Sequence, residues 1–392
     1  MSTVQNGRRV SVAVKYQGKN ITQALKDFLI DFKYTDSPSG EVDTITLNLD
    51  DRDRKWTKQW TPKNGDRLIA EISVTDWDKA GHKGKINCGA FEVDSLDLTG
   101  PPHIASINAL SVPQSGSPAM REKRTKSWEK VKLRAIAQEI ANRAKLKLMY
   151  SVKINPTYER QDQTEESDFS FLNKVCTDEG IAVKVSGSQL VLYDESEHEK
   201  RPPAKTIEYG KTPVISYKFS ESSSTTAYSA CVVTYKSTVT PAKKKKAKDK
   251  KKKGGSSTDP PVPLDPDLPT PKSMAMAVTA AADKKEKEKG KTQVITGKYT
   301  LPGVTGPILK INQKVDSVAE AQRLAKNKLR EQNKNAGIAS LVLAGDVTLA
   351  SGITITIKGW GRYDGKYLIV KSEHSVGSNY TTSLEIRKVL GY

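Results

Sequence analysis

The sequence predicts a β-rich α+β protein in which two small β-barrel or sandwich domains flank an α+β module. Three observations carry this. Apolar residues alternate with polar ones in the first and last thirds of the chain, and recur at helical spacing in the middle and in one late segment. Residues 241–291 are Lys- and Pro-rich, with little to bury. The expected boundaries are 1–115 for the N-terminal β-domain, 116–200 for the central module and 201–392 for the second β-domain. A low-complexity insertion at about 241–291 interrupts the last.

In the first region Val10, Val12, Val14 and Tyr16 alternate with polar residues, as do Ile45, Leu47 and Leu49, then Leu68, Ala70, Ile72 and Val74, then Phe91 and Val93. Period two, broken by Asn64-Gly65-Asp66, Gly81 and Gly84, predicts half-buried antiparallel strands. At Ser127 the pattern changes. Leu133, Ile136, Ala137, Ile140, Ala141 and Ala144 share one face and predict a helix of about 15 residues. A second helix is expected with Ser167 as N-cap, with Phe169, Leu172, Val175 and Cys176 buried and Gly180 ending it. Strands at 181–185 and 189–193 complete the module, and the acidic run 194–199 with Pro202-Pro203 reads as its exit linker.

Strands resume at 214–219 and 228–235, and after the insertion at 294–299. Ser317-Val318-Ala319-Glu320 is a capping box, the Glu reaching back to the cap amide, and opens a helix burying Val318, Ala321, Leu324, Ala325 and Leu329. Alternation returns in Leu341 and Leu343, in Ile353, Ile355 and Ile357, in Tyr367 and Ile369, and in Leu384 and Ile386. The two β regions also echo each other. Gly65-Asp66 followed by Gly89-Ala-Phe91-Glu-Val93 resembles Gly345-Asp346 followed by Gly365-Lys-Tyr367-Leu-Ile369, as two copies of one β-domain would.

At 392 residues the chain has room for two to four domains and a core without metal or disulfide staples. Hydrophobic residues make up 36%, charged 28% and aromatic 6%, with a mean hydropathy of -0.57, which fits a soluble chain. The least polar stretches, 273–282 and 338–345, fall short of the roughly 20 apolar residues of a membrane span. No apolar run follows the early arginines, so no Sec-type signal peptide is expected and synthesis should end in a bacterial cytoplasm. Cys88, Cys176 and Cys231 are odd in number, far apart and without a Cys-x-x-Cys, which predicts buried, reduced thiols.

The net charge of +19 is unevenly spread. Residues 241–291 hold 15 lysines and 7 acidic residues, a net +8, leaving +11 for the rest. Such composition predicts a mobile insertion; a nucleic-acid-binding tail is the alternative, disfavoured because the run has no aromatic platform.

Chemistry is hard to find. His82, His103, His198 and His374 show no His-Glu-x-x-His and no close pairing. Gly359-x-Gly361-x-x-x-Gly365 is spaced one residue too long for a dinucleotide loop and reads as a turn. Gly290-Lys291-Thr292 lacks the first glycine of a phosphate loop, Lys285 standing in its place. Glu165-Glu166 and Asp178-Glu179 could flank a glycosidic bond only at a fixed separation, and acidic residues at a helix start explain the first pair. No catalytic, cofactor-binding or metal-ligating residue is assigned.

Several segments together resemble the late control D family, the baseplate hub proteins of contractile phage tails and related contractile injection systems. They are Trp128-Glu-Lys-Val131-x-Leu133-x-x-Ile136-Ala137, then Ser167-Asp168-Phe169-x-Phe171-Leu172-x-x-Val175 to Gly180, and Ala319-Glu-Ala321 to Arg330. Gly359-Trp-Gly361-x-x-x-Gly365-Lys-Tyr367, His374 and Tyr380-Thr381-Thr382-Ser383-Leu384 follow in the family's order. The resemblance implies two tube-like β-domains per chain and a homotrimer forming a pseudo-sixfold ring. That ring would join a hexameric tail tube protein to a trimeric spike protein, among other baseplate proteins, in a virion or phage tail-like particle. The Lys/Pro insertion is not a family constant. No spike-like β-helix follows the second β-domain, so the spike is expected to be a separate protein. The alternatives are a tail-associated peptidoglycan hydrolase and a nucleic-acid-binding protein using the Lys run.

Overall fold

A computed structural model describes residues 7–111, 122–186, 188–221, 228–238 and 292–392. The Lys/Pro insertion and Gly290-Lys291 lie outside the described residues.

The alternating N-terminal region folds as β1 (Arg9–Tyr16), β2 (Lys19–Asn20), a short α1 (Thr22–Leu25), β3 (Leu29–Asp36), β4 (Thr44–Asp50), β5 (Arg67–Thr75), β6 (Lys83–Thr99) and β7 (Ile104–Leu110). Every second side chain points inward, so Phe32, Ile45, Leu47, Leu49, Leu68, Ile72, Phe91 and Val93 meet in one core.

The central module comprises β8 (Lys123–Lys132), α2 (Leu133–Arg143), β9 (Lys147–Ser151), β10 (Thr157–Ser167), α3 (Asp168–Asp178), β11 (Ile181–Ser186), β12 (Gln189–Asp194) and α4 (Glu195–Lys200). Three expectations are corrected here. The helix expected from Ser127 starts only at Leu133, because residues 123–132 pair antiparallel with β10 and bury Trp128 against Phe171, the rings parallel at 6.2 Å. In α3 the Ser167 hydroxyl accepts from the Ser170 amide as expected, but Phe171 rather than Phe169 is fully buried. The inward stripe is Asp168, Phe171, Leu172, Val175 and Cys176, which leaves Phe169 on its flank. The acidic run after β12 is not a linker. Asp194 caps α4 by accepting from the Ser196 amide at 2.9 Å, and Glu199 is buried.

The last third contains β13 (Lys205–Glu208), β14 (Val214–Glu221), β15 (Ala230–Thr238), β16 (Thr292–Thr300), β17 (Ile308–Asn312), α5 (Val318–Asn333), β18 (Gly337–Ala344), β19 (Thr354–Lys358), β20 (Gly365–Val376) and β21 (Tyr380–Lys388). Between β14 and β18 the chain builds a separate layer, the sheet β16-β15-β17 covered by α5. Its core holds Cys231, Val233, Ala321, Leu324, Ala325 and Leu329. The helix backbone comes so close that a Cβ on Gly297 would lie 2.3 Å from the Ala321 carbonyl carbon. Two details of the capping box differ from expectation. Val318 is 52% exposed, and Glu320 accepts from the amide of Asp316, one residue before the Ser317 cap.

The remaining strands of the last third repeat the first region. Its strand order is β3-β4-β7-β6-β5-β1, and that of the last third is β14-β18-β21-β20-β19-β13, in the same sequence order. Five of the six strands keep the same antiparallel partners, and only the outermost differs, β13 running parallel to β19. The registers agree residue by residue. Both first hairpins bulge at the second residue, Ile30 in β3 and Ile215 in β14. Both fourth strands bulge one residue after the echoed motif, past Val93 in β6 and past Ile369 in β20.

Half of the sequence echo is thereby confirmed and half reassigned. Gly89-x-Phe91-x-Val93 and Gly365-x-Tyr367-x-Ile369 occupy equivalent strands, but the counterpart of Gly65 is Gly352, not Gly345. Both have positive φ (88° and 82°), and their amides bond Val93 and Ile369 carbonyls at 2.8 Å. Gly345 is glycine for another reason, since a Cβ there would lie 2.0 Å from the Tyr380 ring.

Candidate assembly interface

The two β units are joined edge to edge. The end of β20 pairs antiparallel with β3, setting Ser372 opposite Asp36, His374 opposite Tyr34 and Val376 opposite Phe32, so that one sheet runs through both units. All six side chains are buried. The His374 ring stacks on Tyr34 at 6.0 Å, its Nε2 lies 3.0 Å from the Leu349 carbonyl, and its Nδ1 lies 2.9 Å from the Tyr380 hydroxyl. A carbonyl can only accept, so Nε2 carries the proton and donates, leaving Nδ1 to accept from Tyr380. Burial holds the imidazole below its ordinary pKa, which keeps it neutral.

The central module locks the joint through charge. Lys184 on β11 reaches Asp36, and Asp43 at 3.2 Å, while Asp36 accepts from the Ser351 amide of the second unit at 2.8 Å. Burial raises Asp43 to about 6 against the pull of Lys184. Burial also works against the Lys184 ammonium, yet the carboxylates of Asp36 and Asp43 more than offset it and raise its pKa. A second buried cluster ties α4 to α5 and β21, with Glu199 2.9 Å from Arg330 and 2.7 Å from Arg387. Beside it, burial favours a neutral Glu195, but Lys334 at 2.6 Å and Arg387 at 3.4 Å hold its pKa below the ordinary range.

The residues weighed for chemistry do not converge. His82 pairs with Asp78 at 3.4 Å, His198 sits 3.2 Å from the Gly352 carbonyl, and His374 is spent in the joint. The carboxylates considered for hydrolysis have other partners: Glu165 accepts from Thr125, Glu166 pairs with Lys174, Asp178 with Lys328 and Glu179 with Arg323. The Gly359–Gly365 segment is a turn whose Asp364 carboxylate accepts from the Gly359 and Trp360 amides, and β20 begins at its end. Among the described residues no group of three or more His, Cys, Asp or Glu side chains is placed to hold a metal ion. No described helix is long and apolar enough to cross a membrane.

The most informative signal in the sequence went unread. Leu29-Ile-Asp-Phe-Lys-Tyr-Thr-Asp36 and Val214-Ile-Ser-Tyr-Lys-Phe-Ser-Glu221 are equivalent strands. They share Ile and Lys, and pair Leu with Val, Phe with Tyr, Thr with Ser and Asp with Glu. Comparing octapeptides for side-chain character, without asking for identity, would have found it.

A duplicated β unit joined to itself through a strand edge, with no convergent set of reactive groups, defines a structural building block. The chain belongs to the phage tail baseplate hub (GPD) family, whose model matches residues 113–380. It is 30% identical over 176 residues to the probable baseplate hub protein of Escherichia phage 186, and 28% over 177 residues to that of Escherichia phage P2. Each match spans 44% of this chain and 42% of the phage protein, so the chain aligns with less than half the length of these relatives. In fold it is similar to the 43 kDa tail protein of prophage MuSo2 from Shewanella oneidensis, with a TM-score of 0.63 and 11% identity over 97% of this chain and 98% of that one. A tail protein from Neisseria meningitidis MC58 matches at 0.62 and 11%, over 97% and 96%.

Proposed function

We propose that this chain is the hub of a contractile tail baseplate, assembled as a homotrimer whose six β units form a pseudo-sixfold ring. The ring would sit between a hexameric tail tube protein and a trimeric central spike, among other baseplate proteins. The observation that carries this is the duplication: two units of one strand order, joined through an edge, turn three chains into six near-equivalent subunits. We divide the chain into a first tube-like unit to about residue 115, a central module to about 200, and a second tube-like unit whose β14–β18 connection carries the β15–α5 layer. Its work is geometric rather than catalytic: it matches a sixfold tube to a threefold spike. The test is particle averaging of assembled tail ends. Three copies at the junction of tube and spike are expected; another copy number, or a location away from that junction, would overturn the reading.

A further inference from the structure

The joint between the two units has a pseudo-symmetric counterpart that the chain leaves open. The register fixes it: residues 372–376 of β20 correspond to 96–100 of β6, and residues 32–36 of β3 to 217–221 of β14. Among the described residues, β14 pairs only with β18, and β6 beyond Val93 pairs only with β7. Both edges are therefore available.

We propose that the sheet continues from chain to chain, β6 of one copy receiving β14 of a second copy, antiparallel and in the register of the internal joint. This deepens the ring reading and rests on it. The mapped pairs are Leu96 with Glu221, Asp97 with Ser220, Leu98 with Phe219, Thr99 with Lys218 and Gly100 with Tyr217. Leu98 and Tyr217 are each 50% exposed, whereas their counterparts His374 and Phe32 are fully buried. Leu98 would cover Phe219 as His374 covers Tyr34. Asp97 stands diagonally across from Lys218, as Glu373 does from Lys33 within the chain. The polarity also closes. The second unit offers β20 to the first unit's β3, and the first unit offers β6 to the next chain's β14, a head-to-tail contact that can form a ring.

The test is cross-linking of the full chain in assembled particles. In T99C/K218C the new thiols lie opposite each other in the proposed register, within disulfide reach. The three native cysteines are buried. Under a mild oxidant, a non-reducing denaturing gel should show a ladder ending at three chains. T99C/S220C, displaced by two residues, should link about tenfold less, since its Cβ atoms stand roughly 7–8 Å apart. L98R should melt like the parent as an isolated chain yet fail to enter the ring. Equal linking in both cysteine variants, or another protein on the β14 edge, would overturn the register. Particle averaging separates this from the ring reading: three copies without the 99–218 link sinks the register alone, and any other copy number sinks both.

Discussion

Glu199→Ala tests whether the α4–α5–β21 cluster holds the second half of the molecule together. The three side chains Glu199, Arg330 and Arg387 are 5%, 7% and 5% exposed, so solvent does little to screen them. Removing the carboxylate leaves two guanidinium groups together out of water, with only Glu195, 3.4 Å from Arg387, in partial compensation. Stripping one partner from a buried ion pair costs about 3–5 kcal/mol. With Glu195 present the expected loss is at the lower end, about 3 kcal/mol. Followed by tryptophan fluorescence in urea, with a slope of about 3 kcal/mol/M, the midpoint should fall by about 1 M. Adding Arg387→Met should recover part of the loss, because one stranded cation is removed. A Glu199→Ala variant within about 0.5 kcal/mol of the parent, the range of an ordinary surface change, would refute the reasoning.

Phe171→Ala should destabilise the central module by about 3–5 kcal/mol, and Phe169→Ala by clearly less, as measured by urea denaturation. The neutral, buried His374 predicts that stability falls as pH drops below about 6.5, because the unfolded chain takes its proton first; His374→Gln should flatten that part of the stability-versus-pH curve. Asp43, raised from 3.8 to about 6, works in the opposite sense: its contribution is present in acid and is lost as pH rises through about 6, so Asp43→Asn should remove an acid-side gain. Thr238 stands opposite Thr292 at the end of the β15–β16 ladder, so a short Gly/Ser turn in place of 242–291 can bridge them, and the melting midpoint should stay within a few degrees.

Strands were legible wherever one face is buried, because alternation such as Val10-x-Val12-x-Val14 records the geometry directly. Legibility failed where tertiary pairing overrode local pattern. Residues 123–132 carry helix-compatible side chains before a true helix, and only β10, more than twenty residues on, makes them a strand. The acidic run after β12 looked like a linker because the partners of Glu199 come from α5 and β21, far along the chain. The family was legible through the order of short motifs. The joint was not, because it is written in the similarity of two octapeptides 185 positions apart that share only two identical residues.

Carrying two units on one chain changes the arithmetic of assembly. The β20–β3 joint forms during folding, at the effective concentration of a tethered pair, and does not wait for a collision. Six separate subunits would need five associations to complete a ring, each losing about 4–15 kcal/mol of translational and rotational freedom; three two-unit chains need two. Each remaining joint can then be individually weak, so a ring need persist only where a tube or spike holds it.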